Sequence, residues 1–322
     1  MSITISICTA RPNPELSWFF DSLKHNSHLE EVGQIIICDL YAEEFAGWSA
    51  EDAKRSVVRA CEASGKFASI TQIVPPKPNV WAGRYRLTPR NWWAKPEFLN
   101  TCLCHARGDY LVFLDDRCAL APTFMDAVHE ARDKSYICCG TYSKQAGMVV
   151  RDGKIVSMGK TLATDPRMEG ETDLNRRRPC RGDWLFGCAY SLPTEWMLQV
   201  NGVDESWSGV SMEDTHFGKM LENNRFPIFH DGRMKMIEDR TPAEQDPTCR
   251  EHDMKRSSKE RYPHDEMDKT HQLIRRLWKN KASIHPWNLR QIREGVLRGD
   301  AFPIPKLPVS DWFDSQKLKD MV

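Results

Sequence analysis

The chain opens with alternating apolar and polar residues. Isoleucines at positions 3, 5 and 7 alternate with small or polar residues, and this period of two predicts a β-strand. The segment Thr-Ala-Arg-Pro-Asn-Pro at 9–14 ends the strand, and a helix is predicted at about 15–25. The chain therefore begins with a strand followed by a helix.

The same alternation of strand and helix continues along the chain. The predicted elements are strands at 34–38, 69–74, 110–114 and 136–140, with helices at 51–64, 96–107 and 123–131. Residues 110–114 are all aromatic or branched, as is typical of a strand that is covered on both faces. Repeated strand–helix units predict an α/β protein built on a mostly parallel sheet.

The middle of the chain interrupts this pattern. Residues 148–150 and 154–158 predict a hairpin that turns at Asp152-Gly153. The polar stretch 164–181 contains three consecutive arginines, Arg176 to Arg178, and predicts a flexible loop. Two interpretations of this loop stay open, namely a lid that closes over a ligand and a solvated charge run.

Two adjacent carboxylates, Asp115 and Asp116, follow the apolar run at 110–114. Open α/β sheets bind ligands beyond the carboxyl ends of their strands, so these side chains are expected to face a site. Mg²⁺ and Mn²⁺ take oxygen ligands, often one or two carboxylates together with substrate phosphates. The pair therefore predicts a divalent cation and a phosphorylated substrate. An Asp-rich turn or helix cap is the alternative.

Three more acidic residues occupy similar positions. Asp39 follows the second predicted strand, and Glu213-Asp214 stands at the head of a predicted helix after a glycine-bearing loop. A helix cap explains each of them, because the helix dipole stabilises acids at the N-terminus. A carboxylate on a first helical turn can also accept a proton from an attacking hydroxyl, so Asp214 is a candidate general base.

Composition narrows the class of protein. The chain has 322 residues, with 45 Lys plus Arg and 45 Asp plus Glu, so no overall charge draws it to nucleic acid or to an anionic membrane. Its 11 cysteines show no Cys-x-x-Cys zinc spacing and no small secreted-domain framework. Neither a signal peptide nor a long apolar span is recognisable. We expect a soluble cytoplasmic protein with reduced thiols.

The joint occurrence of these motifs resembles the nucleotide-sugar glycosyltransferases of the A fold, especially family 2. The strand that ends in Asp115-Asp116 precedes Gly-Val-Asp-Glu at 202–205 and Glu-Asp-x-x-Phe-Gly at 213–218. The resemblance spans residues 3–239. It implies a Rossmann-like α/β fold with a mixed, mostly parallel central sheet, helices on both faces and a helical C-terminal extension.

The resemblance also implies roles for particular residues. Asp116 would bind Mn²⁺ or Mg²⁺ on the donor diphosphate, while Asp115 would lie nearer the ribose. Arg117 departs from the three-acid version of the motif and puts the metal affinity in doubt. Asp214 would be the general base of an inverting transfer, and Glu213 would contact the acceptor.

Further positions match the donor site of the family, usually a uridine diphosphate sugar. The implied donor contacts are Thr9, Arg11, Asp39, Arg90, Lys95, Trp184 and Gly187, in addition to Asp115. A third metal ligand is expected some twenty residues after the second acidic pair. His230, Glu238 and His252 compete for this role, and we rank Glu238 and His252 first.

The predicted organisation is a catalytic domain at 1–240, with a nucleotide-binding half at 1–120 and a sugar and acceptor half at 121–240. Residues 241–322 form a mostly helical extension, since apolar positions recur at helical spacing after 263. The acceptor stays open among a glycan, a protein, a small molecule and modified DNA. A metal-dependent nucleotidyltransferase and a non-catalytic nucleotide- or glycan-binding protein are the competing functions.

Overall fold

The computed structural model describes ten stretches of the chain. These are residues 2–9, 16–39, 70–73, 95–151, 154–170, 173, 175–205, 212–239, 279–284 and 288–300. The helix predicted at 51–64 and the helical pattern predicted at 263–278 lie outside them. All statements below concern the described residues.

The described residues contain twelve strands. They are β1 Ile3–Thr9, β2 Val32–Asp39, β3 Ile70–Ile73, β4 Tyr110–Asp115, β5 Cys118–Leu120, β6 Ile137–Gln145, β7 Val149–Arg151, β8 Lys154–Ser157, β9 Thr161–Thr164, β10 Arg177–Pro179, β11 Ala189–Pro193 and β12 Ile228–Asp239. All but β7 and β8 belong to one ten-stranded sheet. The β7–β8 pair is antiparallel, which confirms the predicted hairpin.

The main sheet is mixed. Its order is β10-β12-β6-β11-β4-β1-β2-β3, with β5 paired to β12 and β9 paired to β6. Strands β3, β2, β1 and β4 run parallel, as do β6 and β12. Strand β11 lies antiparallel between β4 and β6. The carboxyl ends of β1, β2 and β4 therefore meet at one edge of the sheet, the edge at which an open α/β sheet binds its ligand.

Six α-helices are present in the described stretches, and they lie on the two faces of the sheet. They are α1 Leu16–Leu23, α2 Lys95–His105, α3 Phe124–Asp133, α4 Thr194–Gln199, α5 Glu213–Asn223 and α6 Leu289–Arg298. Helices α1 and α3 pack on one face, and α2, α4 and α5 pack on the other, where the first residue of α6 is also buried. The α/β fold with helices on both faces is thus confirmed.

Strand β4 contributes side chains to two hydrophobic cores, one on each face of the sheet. Tyr110, Val112 and Leu114 belong to the core beneath α1 and α3, whereas Leu111 and Phe113 belong to the opposite core. Each of these side chains is at most 2% exposed, and burial of such a residue stabilises the fold by roughly 1.5–3 kcal/mol. The strand is therefore rigid up to the acidic residues that follow it.

The prediction of a flexible loop at 164–181 is wrong. The segment contains a short 3₁₀ helix, Pro166–Met168, and strand β10, which pairs with β12. Asp165 caps the 3₁₀ helix by accepting a hydrogen bond from the backbone N–H of Arg167 at 2.9 Å. Within the arginine run, Arg177 and Arg178 pack on the rings of Tyr136 and Trp184, so these two side chains are not simply solvated.

Helix α6 belongs to the predicted C-terminal extension and lies against α2. Leu289 at its start is buried, and Arg293 donates two hydrogen bonds to the carbonyl oxygen of Ala106, at 2.9 and 3.1 Å. In the part of the chain that the structure describes, no helix combines the length and apolar character needed to cross a bilayer.

Candidate active site

Strand register brings the first acidic group together. Thr9 pairs with Asp39 across β1 and β2, and Cys8 pairs with Asp115 across β1 and β4. The hydroxyl of Thr9 donates a hydrogen bond to Oδ2 of Asp116 at 2.6 Å. The side chain of Asp39 is not described. The predicted donor contact at Thr9 and the predicted metal ligand Asp116 therefore touch.

Lys95 is the first residue of α2 and its side chain reaches the strand edge. Its Nζ lies 2.6 Å from Oδ1 of Asp115 and donates to the carbonyl oxygen of Gly187 at 2.9 Å. A cation at a helix N-terminus is unfavourable, and burial alone would lower the pKa of Lys95. The carboxylates of Asp115, Glu213 and Asp214 nevertheless raise that pKa, so the ammonium group stays charged.

Gly187 links Asp214 of the second acidic pair to Lys95, which contacts Asp115 of the first pair. The backbone N–H of Gly187 donates to Oδ2 of Asp214 at 2.7 Å, while its carbonyl oxygen accepts from Lys95. A Cβ at position 187 would lie 2.8 Å from the lysine Nζ and 3.3 Å from Oδ2 of Asp214. Only glycine fits between them without displacing one of the two charged groups.

The backbone before α5 is strained. Met212 has φ 72 and ψ 14, a left-handed conformation that costs a non-glycine residue roughly 1–2 kcal/mol. The next two residues are Glu213 and Asp214, and Oδ1 of Asp214 accepts the backbone N–H of Thr215 at 2.7 Å. With the bond from Gly187, both carboxylate oxygens of Asp214 are held by N–H donors. This fixes its orientation toward the glycine.

Glu213 can exchange a proton near neutral pH. Burial and then the negative charge of Asp214 raise the pKa of Glu213 to about 7, although Lys95 opposes the shift. A carboxyl group that titrates near neutral pH therefore stands directly beside Asp214 at the head of α5.

We expect Glu213→Gln to stabilise the protein at alkaline pH. The folded-state pKa of about 7 lies above the ordinary value of 4.5, so the folded protein binds the proton more tightly than the unfolded chain. Wild-type stability therefore falls as pH rises from 4.5 to 7. Because Glu213 is partly exposed, we expect the variant to be more stable by about 1–2 kcal/mol at pH 8, with little difference at pH 4.5.

Urea unfolding at these two pH values measures the effect, and Glu222 on the same helix is the control. Although burial opposes it, the hydrogen bond from Lys219 lowers the pKa of Glu222, so Glu222→Gln should instead destabilise the protein at pH 8. A gain for Glu213→Gln of equal size at both pH values would contradict the expectation.

Glu238 brings a third carboxylate toward the strand edge. It pairs with Cys118 across β12 and β5, it is 2% exposed, and its Oε2 lies 3.7 Å from Nζ of Lys144. Burial, followed by the charges of Asp115, Asp116 and Glu238, raises the pKa of the Cys118 thiol. The three carboxylates therefore surround one buried thiol.

These carboxylates suit a hard divalent cation. Asp115, Asp116 and Glu238 supply only oxygen, the ligand type that Mg²⁺ and Mn²⁺ prefer. In the described part of the chain, no three ligand atoms that include these carboxylates lie within 4.8 Å of one another. A cation here would therefore use one or two carboxylates and take its other ligands from phosphate or water, as Mg²⁺ commonly does.

Comparison with solved structures identifies the fold. The structure of GalNAc-T7 with UDP, GalNAc and Mn²⁺ aligns with 95% of this chain at a TM-score of 0.53 and 10% sequence identity. The chain has the glycosyltransferase A fold. It spans 58% of the length of GalNAc-T7.

Two further solved structures align with lower TM-scores. TarS of S. aureus in complex with UDP-GlcNAc has a TM-score of 0.49 and 13% identity over 87% of this chain and 74% of its own. The mannosyltransferase PcManGT from Pyrobaculum calidifontis, in complex with GDP-Man and Mn²⁺, has a TM-score of 0.45 and 16% identity over 73% of this chain and 56% of its own. No protein-family model and no curated protein sequence matches the chain.

Trp184 and His230 lie together in this glycosyltransferase A fold. The ring of Trp184 packs against Arg178 and His230, at 5.0 and 5.7 Å. His230 lies near the start of β12, and its pairing with Cys139, against that of Glu238 with Lys144 on the same neighbouring strand, places it roughly 16 Å along the sheet from Glu238. Burial and the charge of Arg167 lower the pKa of His230 to about 4. Arg11, Arg90 and His252 lie outside the described residues.

The sequence analysis did not predict the buried ion pair between Arg167 and Asp165. Arg167 donates to Oδ1 of Asp165 at 2.8 Å, to the carbonyl oxygen of Gly140 at 2.7 Å and to that of Trp184. Its guanidinium also stacks 4.2 Å from the ring of Phe186. The pair thus anchors the segment that leads to Gly187. The dipeptide Asp165-Pro166 signals a turn, but nothing local indicates that the turn is buried.

Proposed function

We propose that the chain is a metal-dependent glycosyltransferase that moves a sugar from a nucleoside diphosphate to an acceptor hydroxyl. One observation carries the proposal. Lys95 and Gly187 join Asp115 at the end of β4 to Asp214 at the start of α5. Groups suited to a metal diphosphate and a group suited to proton transfer therefore face each other across a single glycine.

We infer that the donor diphosphate lies at the carboxyl ends of β1 and β4. Asp116 would be the direct metal ligand, with Glu238 as a second, and His252 stays a proposed ligand. A bound Mn²⁺ or Mg²⁺ would neutralise charge on the departing diphosphate. GalNAc-T7, which shares the fold, was solved with UDP and Mn²⁺, and this supports a uridine nucleotide as the first donor to test.

The nucleotide and the sugar would use different residues. Thr9 lies beside Asp116, next to the proposed diphosphate, and Arg11, Asp39 and Arg90 would complete the contacts to base and ribose. Trp184 and Gly187 would line the sugar pocket, where the lack of a side chain at Gly187 lets Lys95 and Asp214 both reach its backbone. Lys95 would add a fixed positive charge beside Asp115.

Transfer would proceed with inversion. The acceptor hydroxyl loses its proton to Asp214, its oxygen forms a bond to the anomeric carbon, and the bond from that carbon to the diphosphate breaks with its electron pair on the diphosphate oxygen. Asp214 suits this role because backbone N–H groups of Gly187 and Thr215 fix the orientation of its carboxylate. Positioning and electrostatic stabilisation would account for the rate.

Calorimetric titration of the purified protein with UDP, with and without Mn²⁺, tests the donor site. We expect binding that depends on Mn²⁺ and that weakens at least tenfold in Asp116→Asn, because a neutral amide is a poor ligand for a hard cation. Asp21→Asn is the control, since Asp21 lies on α1 and bonds only to Lys24 in the described contacts.

Each outcome of the titration has a defined meaning. If the affinity for UDP were the same with and without Mn²⁺, and the same in Asp116→Asn as in the wild type, the proposed metal site would be wrong. Absence of UDP binding under both conditions would overturn the uridine assignment and direct the same titration to GDP and dTDP. If neither of these bound, the chain would not be a nucleotide-sugar enzyme.

A further inference from the structure

A second group of ligating side chains lies far from the candidate active site. His28, Glu31 and His129 offer ligand atoms that all lie within 4.8 Å of one another. Nδ1 of His129 is 2.9 Å from Oε1 of Glu31 and 3.0 Å from Oε2. The two imidazole rings stack with centroids 3.9 Å apart and planes 3° from parallel, so one ring would turn about its Cβ–Cγ bond for both to direct a nitrogen at a shared ion. We propose that these three residues form a Zn²⁺ site.

The fold separates this site from the proposed reaction centre. Glu31 directly precedes β2, which begins at Val32 and ends at Asp39 beside Thr9. The eight residues of β2 span roughly 25 Å at about 3.3 Å per residue. The His28–Glu31–His129 cluster therefore lies at the opposite edge of the sheet and supplies no ligand to a cation at Asp116.

The type of ligand atom also distinguishes the two sites. Two imidazole nitrogens and one carboxylate oxygen suit Zn²⁺, which is commonly bound by His together with Asp or Glu. The carboxylates near Asp116 offer oxygen alone and suit Mg²⁺ or Mn²⁺. One chain would thus hold metals of two chemical classes.

The charge around the imidazoles favours a cation. Oδ1 of Asp126 lies 3.5 Å from Nε2 of His28, and Oδ2 of Asp133 lies 3.3 Å from Nε2 of His129. Oε1 of Glu30 lies 4.0 Å from Nδ1 of His28. Such carboxylates beside metal-bound imidazoles typically orient the rings and raise their basicity.

Arg132 is the opposing positive charge. Its guanidinium donates to Oε1 of Glu31 at 2.9 Å and also contacts Asp133 at 3.3 Å. Oε2 of Glu31 is left to face His129, and the carboxylates of this patch outnumber the single guanidinium. A bound Zn²⁺ would therefore complete the charge balance without displacing Arg132.

The site would join two segments that are distant in sequence. His28 and Glu31 precede β2, whereas His129 belongs to α3. His28 has φ 57 and ψ 26, a strained conformation for a residue other than glycine, and this backbone places its ring against that of His129. A metal that binds only the folded chain shifts the unfolding equilibrium toward the folded state. Bound Zn²⁺ should therefore cross-link α3 to the segment between α1 and β2 and stabilise the folded state.

Titration of the full chain, stripped with EDTA and free of any histidine tag, with ZnCl₂ tests the proposal. We expect His129→Ala and His28→Ala to weaken Zn²⁺ binding at least tenfold and to remove the rise in Tm caused by Zn²⁺. His25→Ala is the matched control, because His25 is exposed and lies in the same connection. Asp116→Asn should bind Zn²⁺ as the wild type does.

Three results would overturn the proposed Zn²⁺ site. Unchanged Zn²⁺ affinity in both His28→Ala and His129→Ala would overturn the site, and so would loss of binding in Asp116→Asn. X-ray absorption at the zinc edge of the wild-type complex needs no variant. It should show two imidazoles with oxygen ligands, and a shell of sulfur ligands would also overturn the site.

Discussion

Replacing Asp214 by asparagine is expected to lower the turnover of sugar transfer by about 10²–10⁴-fold, the usual contribution of a general base. The amide cannot accept the hydroxyl proton. The donor should still bind within about threefold of the wild-type affinity, since the residues proposed to hold the diphosphate are untouched. Release of UDP from a UDP-sugar gives turnover, and calorimetry with UDP gives binding.

Glu222→Gln is the control for this substitution, because it removes a carboxylate from the same helix. It should leave turnover within about twofold of the wild type. If Asp214→Asn kept full turnover, Asp214 would not be the base. If Glu213→Gln alone abolished turnover while Asp214→Asn did not, the base would be Glu213.

Lys95→Met should damage both stability and turnover. The carboxylates of Asp115, Glu213 and Asp214 raise the pKa of Lys95. The substitution removes the ammonium group and leaves these carboxylates without a neighbouring cation. Removing one partner of a buried ion pair costs about 3–5 kcal/mol. We expect a loss of this size in urea unfolding at pH 7, and UDP release should fall at least 10²-fold because the site loses a fixed positive charge.

Lys134→Met is the matched control for Lys95→Met. Lys134 pairs with Glu130 one turn earlier on α3 and its side chain is 58% exposed, so the change should cost at most about 0.5 kcal/mol. Low pH provides a second check. Protonation of Glu213, whose pKa is about 7, should reduce the deficit of Lys95→Met as the pH falls, and a deficit that is constant between pH 7 and pH 4 would contradict the electrostatic explanation.

The α/β class and the position of the acidic groups could be predicted from the sequence, because both follow from local patterns. The branched run at 110–114 is a strand because it must bury both faces, and that strand ends at Asp115. The acidic pair Glu213-Asp214 was predicted at the head of a helix, and α5 does begin at Glu213. The predicted division into 1–240 and 241–322 stays a prediction.

Contacts between distant residues could not be predicted in the same way. Nothing near Lys95 indicates that its ammonium meets Gly187, because the sequence pattern does not fix the position of β11 beside β4. The polar composition of 164–181 suggested a solvated loop, yet Asp165 and Arg167 satisfy each other's charge and are buried. The stacking of His28 on His129 likewise depends on the packing of α3.

The pairing of β5 with β12 has a consequence for how a cation would be received. Asp116 and Glu238 are far apart in sequence, but Cys118 pairs with Glu238, and the N–H of Asp239 donates to the carbonyl oxygen of Arg117 at 3.0 Å. The main-chain ladder therefore sets the spacing between the two carboxylates during folding. A cation that arrives there meets a rigid frame, so its capture should involve little loss of backbone entropy.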